Sequence, residues 1–361
     1  MAGSFLFYVS GHGYGHARRM TQVIRAMRAL APEADIHVRS AAPARIFEPL
    51  APDCIEPCDI DAGLLEIDPL TIDRPRSIAH LQAFMARRAS ILADEVAAIG
   101  RLRPSLIVAD IPFLAGDAAA KTGIPCIGIS NFTWDWIYEN LFVGDSRYAA
   151  LAGGIAESYC RFGALLELPL VRTCPAIAEK VSMPLIAMQS HRDPAGILAQ
   201  LGISPRDKRP RVLFGTRGGL SPATVGAIAA DAPEFFFLIP GEPLELPPDN
   251  VICVRLDPEL DFSDVLRVCD VVVSKLGYGI VSECIATQTR MVWPPREGFV
   301  EDAIVEKEVP PFVPMTTMLR EDYYAGRWAS YLRRAMELPV PARRMPVDGA
   351  EACAKWLLRH G

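Results

Sequence analysis

The chain of 361 residues lacks the marks of several functional classes. Basic charge is not in excess: 37 Lys and Arg against 43 Asp and Glu leave a net charge of −6. A protein whose main partner is nucleic acid presents a basic face to phosphates, so no nucleic-acid partner is expected. The nine cysteines, at 54, 58, 126, 160, 174, 253, 269, 284 and 353, are odd in number and scattered, with no CxxC pair and no zinc spacing. They read as reduced core thiols of a cytoplasmic protein. No apolar run reaches the twenty or so residues that span a bilayer, and no charged amino-terminal segment leads into a long apolar stretch, so neither a transmembrane segment nor a signal peptide is expected. HExxH, an acid-flanked DxD, GxSxG and the kinase signatures are missing, which leaves no expectation of a metal or a resident cofactor. What is present is the composition of a folded globular protein, 50% hydrophobic and 22% charged, with length enough for two domains that each bury a core.

The most informative stretch is Ser10-Gly11-His12-Gly13-Tyr14-Gly15-His16. It follows the apolar run Phe5 to Val9 and precedes residues 17–30, where Met20, Val23, Ile24, Met27 and Leu30 recur at helical spacing, so the order is strand, glycine loop, helix. Glycines allow backbone angles that other residues resist, and amides at a helix start favour an anion or a polar oxygen. His16 at that mouth can move protons near neutral pH. The plainer reading is that either histidine caps the helix or fills a polar gap.

The rest of the first half alternates strand and helix as a doubly wound sheet does. Ile36 to Val38, Ser105 to Ala109 and Pro125 to Ile129 read as strands; Ile78 to Gly100 reads as one long amphipathic helix closed by Gly100, and Ala115 to Thr122 as a short one. Parallel strands put their carboxyl ends on one edge, which brings Gly11 to His16, Asp110 and Ser130-Asn131 together there. Asp110 can orient His16 through its other ring nitrogen. A proline-dotted stretch, residues 165–210, reads as a connection between domains. The grammar then restarts with Arg211 to Phe214, a glycine turn and a helix from about Pro222 to Ala230, followed by strands at 235–239, 251–254, 271–273 and 291–293.

Three further segments carry chemistry. Gly215-Thr216-Arg217-Gly218-Gly219 reads either as a phosphate cradle with Arg217 for charge or as an ordinary turn; it has no Walker lysine. In Val271 to Glu283 a strand runs through Lys275-Leu276-Gly277-Tyr278-Gly279 into a helix, where Glu283 can accept two hydrogen bonds from a ribose diol and the amides of residues 277–280 can face a diphosphate. Alternatively Glu283 is a favourable charge near a helix start and Lys275 a solvated strand end. Glu301 is a sugar-hydroxyl ligand or a helix-dipole acid. Residues 131–140, dense in aromatics and amides, suit sugar binding through Asn131, Trp134 and Asp135, or form a core-packed helix start with Trp134 and Tyr138 one turn apart. Arg18, Arg19, Arg25 and Arg28 give the first helix a basic side, read as a solvated face or as a lean towards a membrane-surface acceptor.

The glycine-histidine loop with Ala17-Arg18-Arg19, Asp73-Arg74, the run Ser130 to Tyr138, and Lys275 to Gly279 with Glu283 resemble the amino-terminal, glycosyltransferase-like half of the plant L-arabinokinases over roughly residues 5–305. More broadly they resemble the GT-B superfamily. The resemblance implies an α/β, GT-B chain of two Rossmann-like doubly wound domains facing across a cleft: an acceptor-side domain at 1–185, a nucleotide-sugar-binding domain at 186–345, and a last helix at 346–361 packing back on the first. It implies His16 as the base that deprotonates the acceptor, Gly215, Thr216, Arg217 and Gly218 as the diphosphate loop, Gly277, Tyr278 and Gly279 as a second phosphate contact, Glu283 on the ribose, and Arg255-Leu256 at the base. Gly13, Tyr14 and Gly15 then belong to the acceptor side. Glu301 or Asp302 stands where many relatives have Gln. The expected activity is metal-independent transfer of a sugar from a nucleotide diphosphate donor, usually UDP-linked, to a small-molecule or lipid-linked hydroxyl acceptor. Hydrolysis or epimerisation of the nucleotide sugar, and a non-catalytic nucleotide-sugar sensor, are the alternatives. The chain is open to homo-oligomer formation.

Overall fold

A computed structural model of the chain describes residues 3–216, 220–257 and 259–361. The first half begins with β1 (Ser4–Val9), α1 (Gly15–Leu30), β2 (Asp35–Ser40) and β3 (Cys54–Pro57), followed by a hairpin of β4 (Glu66–Asp68) and β5 (Thr71–Ile72). Helices α2 (Arg74–Ala86) and α3 (Arg88–Leu102) lead to β6 (Leu106–Asp110), α4 (Leu114–Thr122) and β7 (Cys126–Ser130). Then come α5 (Trp134–Leu141), α6 (Ser146–Tyr159), β8 (Ala164–Glu167) and β9 (Lys180–Ser182). Seven strands pair in the order β3-β2-β1-β6-β7-β8-β9, every pair parallel.

A parallel sheet covered on both faces explains the near-continuous apolar strands. In β1, Leu6 and Tyr8 enter the core beneath α2 to α6, while Phe5, Phe7 and Val9 enter the one beneath α1. Each such buried side chain contributes about 1.5–3 kcal/mol.

The second half runs α7 (Pro194–Gln200), β10 (Arg211–Phe214), α8 (Pro222–Asp231), β11 (Phe236–Pro240), β12 (Val251–Val254), α9 (Phe262–Arg267), β13 (Val271–Val273) and α10 (Tyr278–Thr287). It ends with β14 (Arg290–Trp293), α11 (Asp302–Glu308), β15 (Met315–Thr317), α12 (Arg320–Ala325), α13 (Ala329–Glu337) and α14 (Gly349–His360). Its six strands are again all parallel, in the order β12-β11-β10-β13-β14-β15. Helix α14 returns to the first half, where Cys353, Ala354 and Leu357 share a core with Met20, Val23, Ile24 and Met27 of α1.

Strand order explains where a ligand binds. In each sheet the first strand lies in the middle with its successors to one side and a later strand on the other: β1 beside β6, and β10 beside β13. At such a reversal the loops leaving the two strands diverge and open a crevice at their carboxyl ends. The loop after β1 leads into His16 at the start of α1, β6 ends at Asp110, and the loops after β10 and β13 contain Gly215 and Gly277.

Two expectations are corrected. The single helix expected over residues 78–100 is two, broken at Arg87; Gly100 lies inside α3, and the chain leaves at Arg103, whose φ is 50° and whose N–H reaches the Ile99 carbonyl. The apolar period crosses the break, since Ile78, Leu81, Phe84, Ile91, Leu92 and Ile99 are all buried in one core, so periodicity alone reads the pair as one element. The stretch 165–210 is not all connection, because β8 and β9 complete the first sheet within it.

Candidate active site between the two halves

A cavity of about 1210 Å³ lies between the halves, lined among others by the loops after β1, β10 and β13. On the first-half wall, the Ser10 N–H donates to the Asp110 carbonyl at 2.7 Å, tying the glycine loop to the end of β6. Gly13 has φ 70°, a left-handed conformation that glycine adopts without penalty. The chain then enters α1, and His16 in its first turn places Nδ1 2.8 Å from Asp110 Oδ1. Asp110 is wholly buried and also accepts from Arg19 Nε at 2.9 Å. Burial would push that carboxyl up, but the Arg19 cation first, and then His16, outweigh it and hold it below the usual carboxylate range. With Nδ1 engaged, Nε2 is the nitrogen left to take a proton in the cavity.

His12 lines the same wall, and its Nδ1 accepts the Leu64 N–H at 3.3 Å. Burial, with His16, Lys275 and Arg296 adding to it, pushes its imidazole down to about 3, so His12 is a neutral shaping group. Its ring meets Trp134 edge-on at 5.3 Å.

Gly13, Tyr14, Gly15 and Trp134 line the cavity as expected acceptor residues, but Trp134 is almost wholly buried, stacked on Tyr138 at 5.5 Å and donating Nε1–H to Asp61 Oδ2 at 3.0 Å. Asn131 and Asp135, also expected on the acceptor side, are not among the residues lining the cavity. Asn131 Oδ1 accepts from Arg19 at 2.9 Å, and Asp135 is buried in α5, where burial raises its carboxyl. The aromatic run is mainly a packed helix start, from which Phe132 and Ile137 face the cavity.

On the second-half wall, Gly215 allows the loops after β10 and β13 to approach, since a Cβ there would stand 2.9 Å from Ser274 Cβ. Thr216 Oγ1 accepts the Lys275 N–H at 3.3 Å. Arg217 and Gly218 lie outside the described residues. Gly277 caps α10 from extended backbone with no side-chain cap, which leaves the first amides of the helix for a ligand. A Cβ on Gly277 would meet nothing closer than 4.0 Å and one on Gly279 nothing within 4 Å. Arg255 and Leu256, just after β12, line this wall too.

Glu283, in the second turn of α10, is buried where the halves meet; Arg18 of α1 donates to its Oε1 at 3.4 Å, and its Oε2 has no partner among the described residues. Burial pushes this carboxyl up to about 7, with Arg18 opposing and Asp261 adding to the rise. Lys275 Nζ stands 3.1 Å from Glu66 Oε1 of the β4–β5 hairpin. Glu301 accepts from Arg296 at 3.1 Å; Arg296 lies 3.7 Å from the Phe299 ring centroid and also pairs with Asp302, which burial raises to about 6 against the pull of Arg296. Tyr278 lines the cavity but packs 4.8 Å from the Arg19 guanidinium.

The basic side expected on α1 is split. Arg25 is exposed and Arg28 pairs with Asp53 at 2.8 Å, whereas Arg18 faces the cleft and Arg19 is buried. Arg19, Asp61, Glu66 and Arg296 are the site residues that reading the sequence missed. Arg19 carried a signal, since it stands three residues from His16 and one from the buried Met20 on the inward face. Among the described residues no three His, Cys, Asp or Glu side chains are grouped as a metal site, and no helix is long and apolar enough to cross a membrane.

No protein-family model matches the chain. L-arabinokinase of Arabidopsis thaliana is 30% identical to it over 358 residues, which is 97% of this chain and 34% of that protein. The chain thus spans about a third of the length of the curated relative it matches. Among solved structures, the glycotransferase of kitacinnamycin superposes with a TM-score of 0.62 at 16% identity, covering 100% of this chain and 96% of that one. A putative UDP-N-acetylglucosamine 2-epimerase from Listeria monocytogenes superposes at 0.56 with 13% identity, covering 99% and 95%. The two parallel sheets and these neighbours give the chain the GT-B fold, two Rossmann-like domains across a cleft.

Proposed function

We propose that this GT-B chain is a glycosyltransferase that moves a sugar from a nucleotide diphosphate donor, UDP-linked, to a small hydroxyl-bearing acceptor without a metal. The observation that carries the reading is the His16–Asp110 pair on one wall of a cavity whose other wall is the uncapped start of α10. In this mechanism His16 Nε2 takes the acceptor proton as the hydroxyl oxygen attacks the anomeric carbon and the bond from that carbon to the diphosphate breaks. Asp110 holds the ring and stabilises the imidazolium that forms. Charge developing on the departing diphosphate meets the amides of Tyr278, Gly279 and Ile280, and Thr216, with the charge of Arg217 proposed to add to them. Glu283 takes the ribose, Arg255 and Leu256 flank the base, and Lys275 and Glu301 stand towards the transferred sugar. The unpaired thiols support the cytoplasm as its compartment.

Calorimetry with UDP-, GDP- and dTDP-sugars tests the donor, and product analysis with sugar alcohols and free sugars tests the transfer. Binding of none of them would overturn the function. The Listeria neighbour favours a second reading, conversion of a nucleotide sugar in the same cleft; free or epimerised sugar released without any acceptor would establish it instead. The match to part of a protein named as a kinase favours a third, a nucleotide-sugar sensor, which would bind donor and turn nothing over.

A further inference from the structure

We propose that Arg19 is a positioning residue that offsets the charge of Asp110 and thereby keeps His16 ready to accept a proton; the role rests on His16 being the base. Its guanidinium lies between three groups of the site and is itself almost wholly buried. Nε donates to Asp110 Oδ2 at 2.9 Å, and Nη2 donates to the same Oδ1 that His16 Nδ1 meets at 2.8 Å. Nη1 donates to Asn131 Oδ1 at 2.9 Å, which fixes the plane of the fork. The carboxylate is therefore gripped by both arms of one cation while it holds the imidazole.

Geometry sets the consequence. A lone buried carboxylate against an imidazole stabilises the imidazolium strongly, and a base that already holds its proton cannot take another. Arg19 Nη2 stands 3.3 Å from His16 Nδ1, so its positive charge opposes that gain at close range. Asp110 can then fix the ring and its tautomer without filling the base in advance. From the other half of the molecule, the Tyr278 ring lies 4.8 Å from the same guanidinium, at the first residue of the helix whose amides face the donor. The setting of the base is thus completed by contact between the halves.

The charged and titratable groups around His16 are Arg19 on its own helix, Asp110 from β6, His12 from the preceding loop and Asp61 from the segment after β3, with Tyr278 from α10 and Cys353 from α14 facing the Arg19–Asp110 pair. Only Arg19 and Asp110 change in the test. Histidine ring signals of the full-length ¹⁵N-labelled chain are followed by NMR against pH, with His16 assigned from His16→Gln. Arg19→Met is expected to raise the His16 titration midpoint by about one pH unit, the scale of one close charge, and Arg19→Lys to restore most of it. The same rise is expected between Asp110→Asn and the double variant Asp110→Asn/Arg19→Met. That background has no lone buried carboxylate and carries the test if Arg19→Met does not fold. An unmoved midpoint in either comparison would overturn the role. Normal turnover of a UDP-sugar by His16→Ala would instead remove the base on which it rests.

Discussion

The two walls of the cleft use the same device, a glycine loop between a parallel strand and a helix, for opposite ends. In the loop after β1 the glycines serve the protein: a Cβ on Gly11 would stand 2.6 Å from Ala41 Cβ, and Gly13 takes a left-handed turn. The loop delivers a side chain, His16, onto a buried carboxylate. In the loop after β13 the glycines leave space: Gly277 and Gly279 have nothing closer than 4.0 Å to a Cβ, and the cavity is lined by a helix start that no side chain caps. Gly11 is packed against the turn beside it, whereas Gly277 and Gly279, like Gly13 and Gly15, stand in open space. A glycine-rich turn therefore says little until its neighbours are known.

The largest effect that can break this contrast is at His16. His16→Ala should lower transfer by about 10²–10⁴-fold while UDP binding by calorimetry stays within about twofold. A matching loss of UDP affinity would mean that the first loop also binds the donor. The same substitution in both loops is the next test. Gly11→Ala should cost about 1–3 kcal/mol, seen as a fall in melting temperature, because Ala41 belongs to a packed turn. Gly277→Ala should leave melting unchanged and weaken UDP roughly tenfold, about 1.4 kcal/mol.

A smaller effect follows from Glu283. Its carboxyl is raised from 4.5 to about 7 by burial, so the fold favours its neutral form. The stability this gives is complete below about 4.5 and is lost as pH rises through about 7. Glu283→Gln should thus melt higher than the parent at pH 8, with the two curves meeting near pH 5. If the ionised carboxylate accepts from a ribose diol, UDP affinity in the parent should rise several-fold from pH 6 to pH 8, and that dependence should vanish in Glu283→Gln. The smallest effect lies at Glu66, whose ion pair with Lys275 crosses the cleft with both partners partly exposed. Glu66→Gln should change stability by about 1 kcal/mol or less, less still at high salt.

Much of the frame was legible because parallel strands write themselves as short apolar runs ending in glycine. Val271 to Val273 followed by Gly277, and Phe5 to Val9 followed by Gly11, needed only a count of apolar residues. Placing strand ends on one edge pairs His16 with Asp110, which is a topological argument and needs no side-chain geometry. What is not legible shares a cause. Sequence leaves Trp134 and Asp135 open between sugar ligands and a packed helix start, because both use the same residues and only burial distinguishes them. By sequence Arg19 groups with Arg18, Arg25 and Arg28 as one basic side, although it lies on the inward face where a cation needs a buried carboxylate. That carboxylate is 91 residues away in the chain.

The sequence by itself determined the two doubly wound halves, the loops that carry the site and the histidine at the start of α1, because strand period, glycine and helix spacing are local properties. Tertiary structure alone decided which glycines of those loops are packed, as Gly11 is, and which stand open, as Gly277 and Gly279 do. It also decided that Asp110 is shared by His16 and Arg19, and that Arg18 meets Glu283 across the cleft. These depend on burial and on contacts between distant segments, and the charge balance of a buried group is set by whichever neighbours the fold brings within a few ångströms.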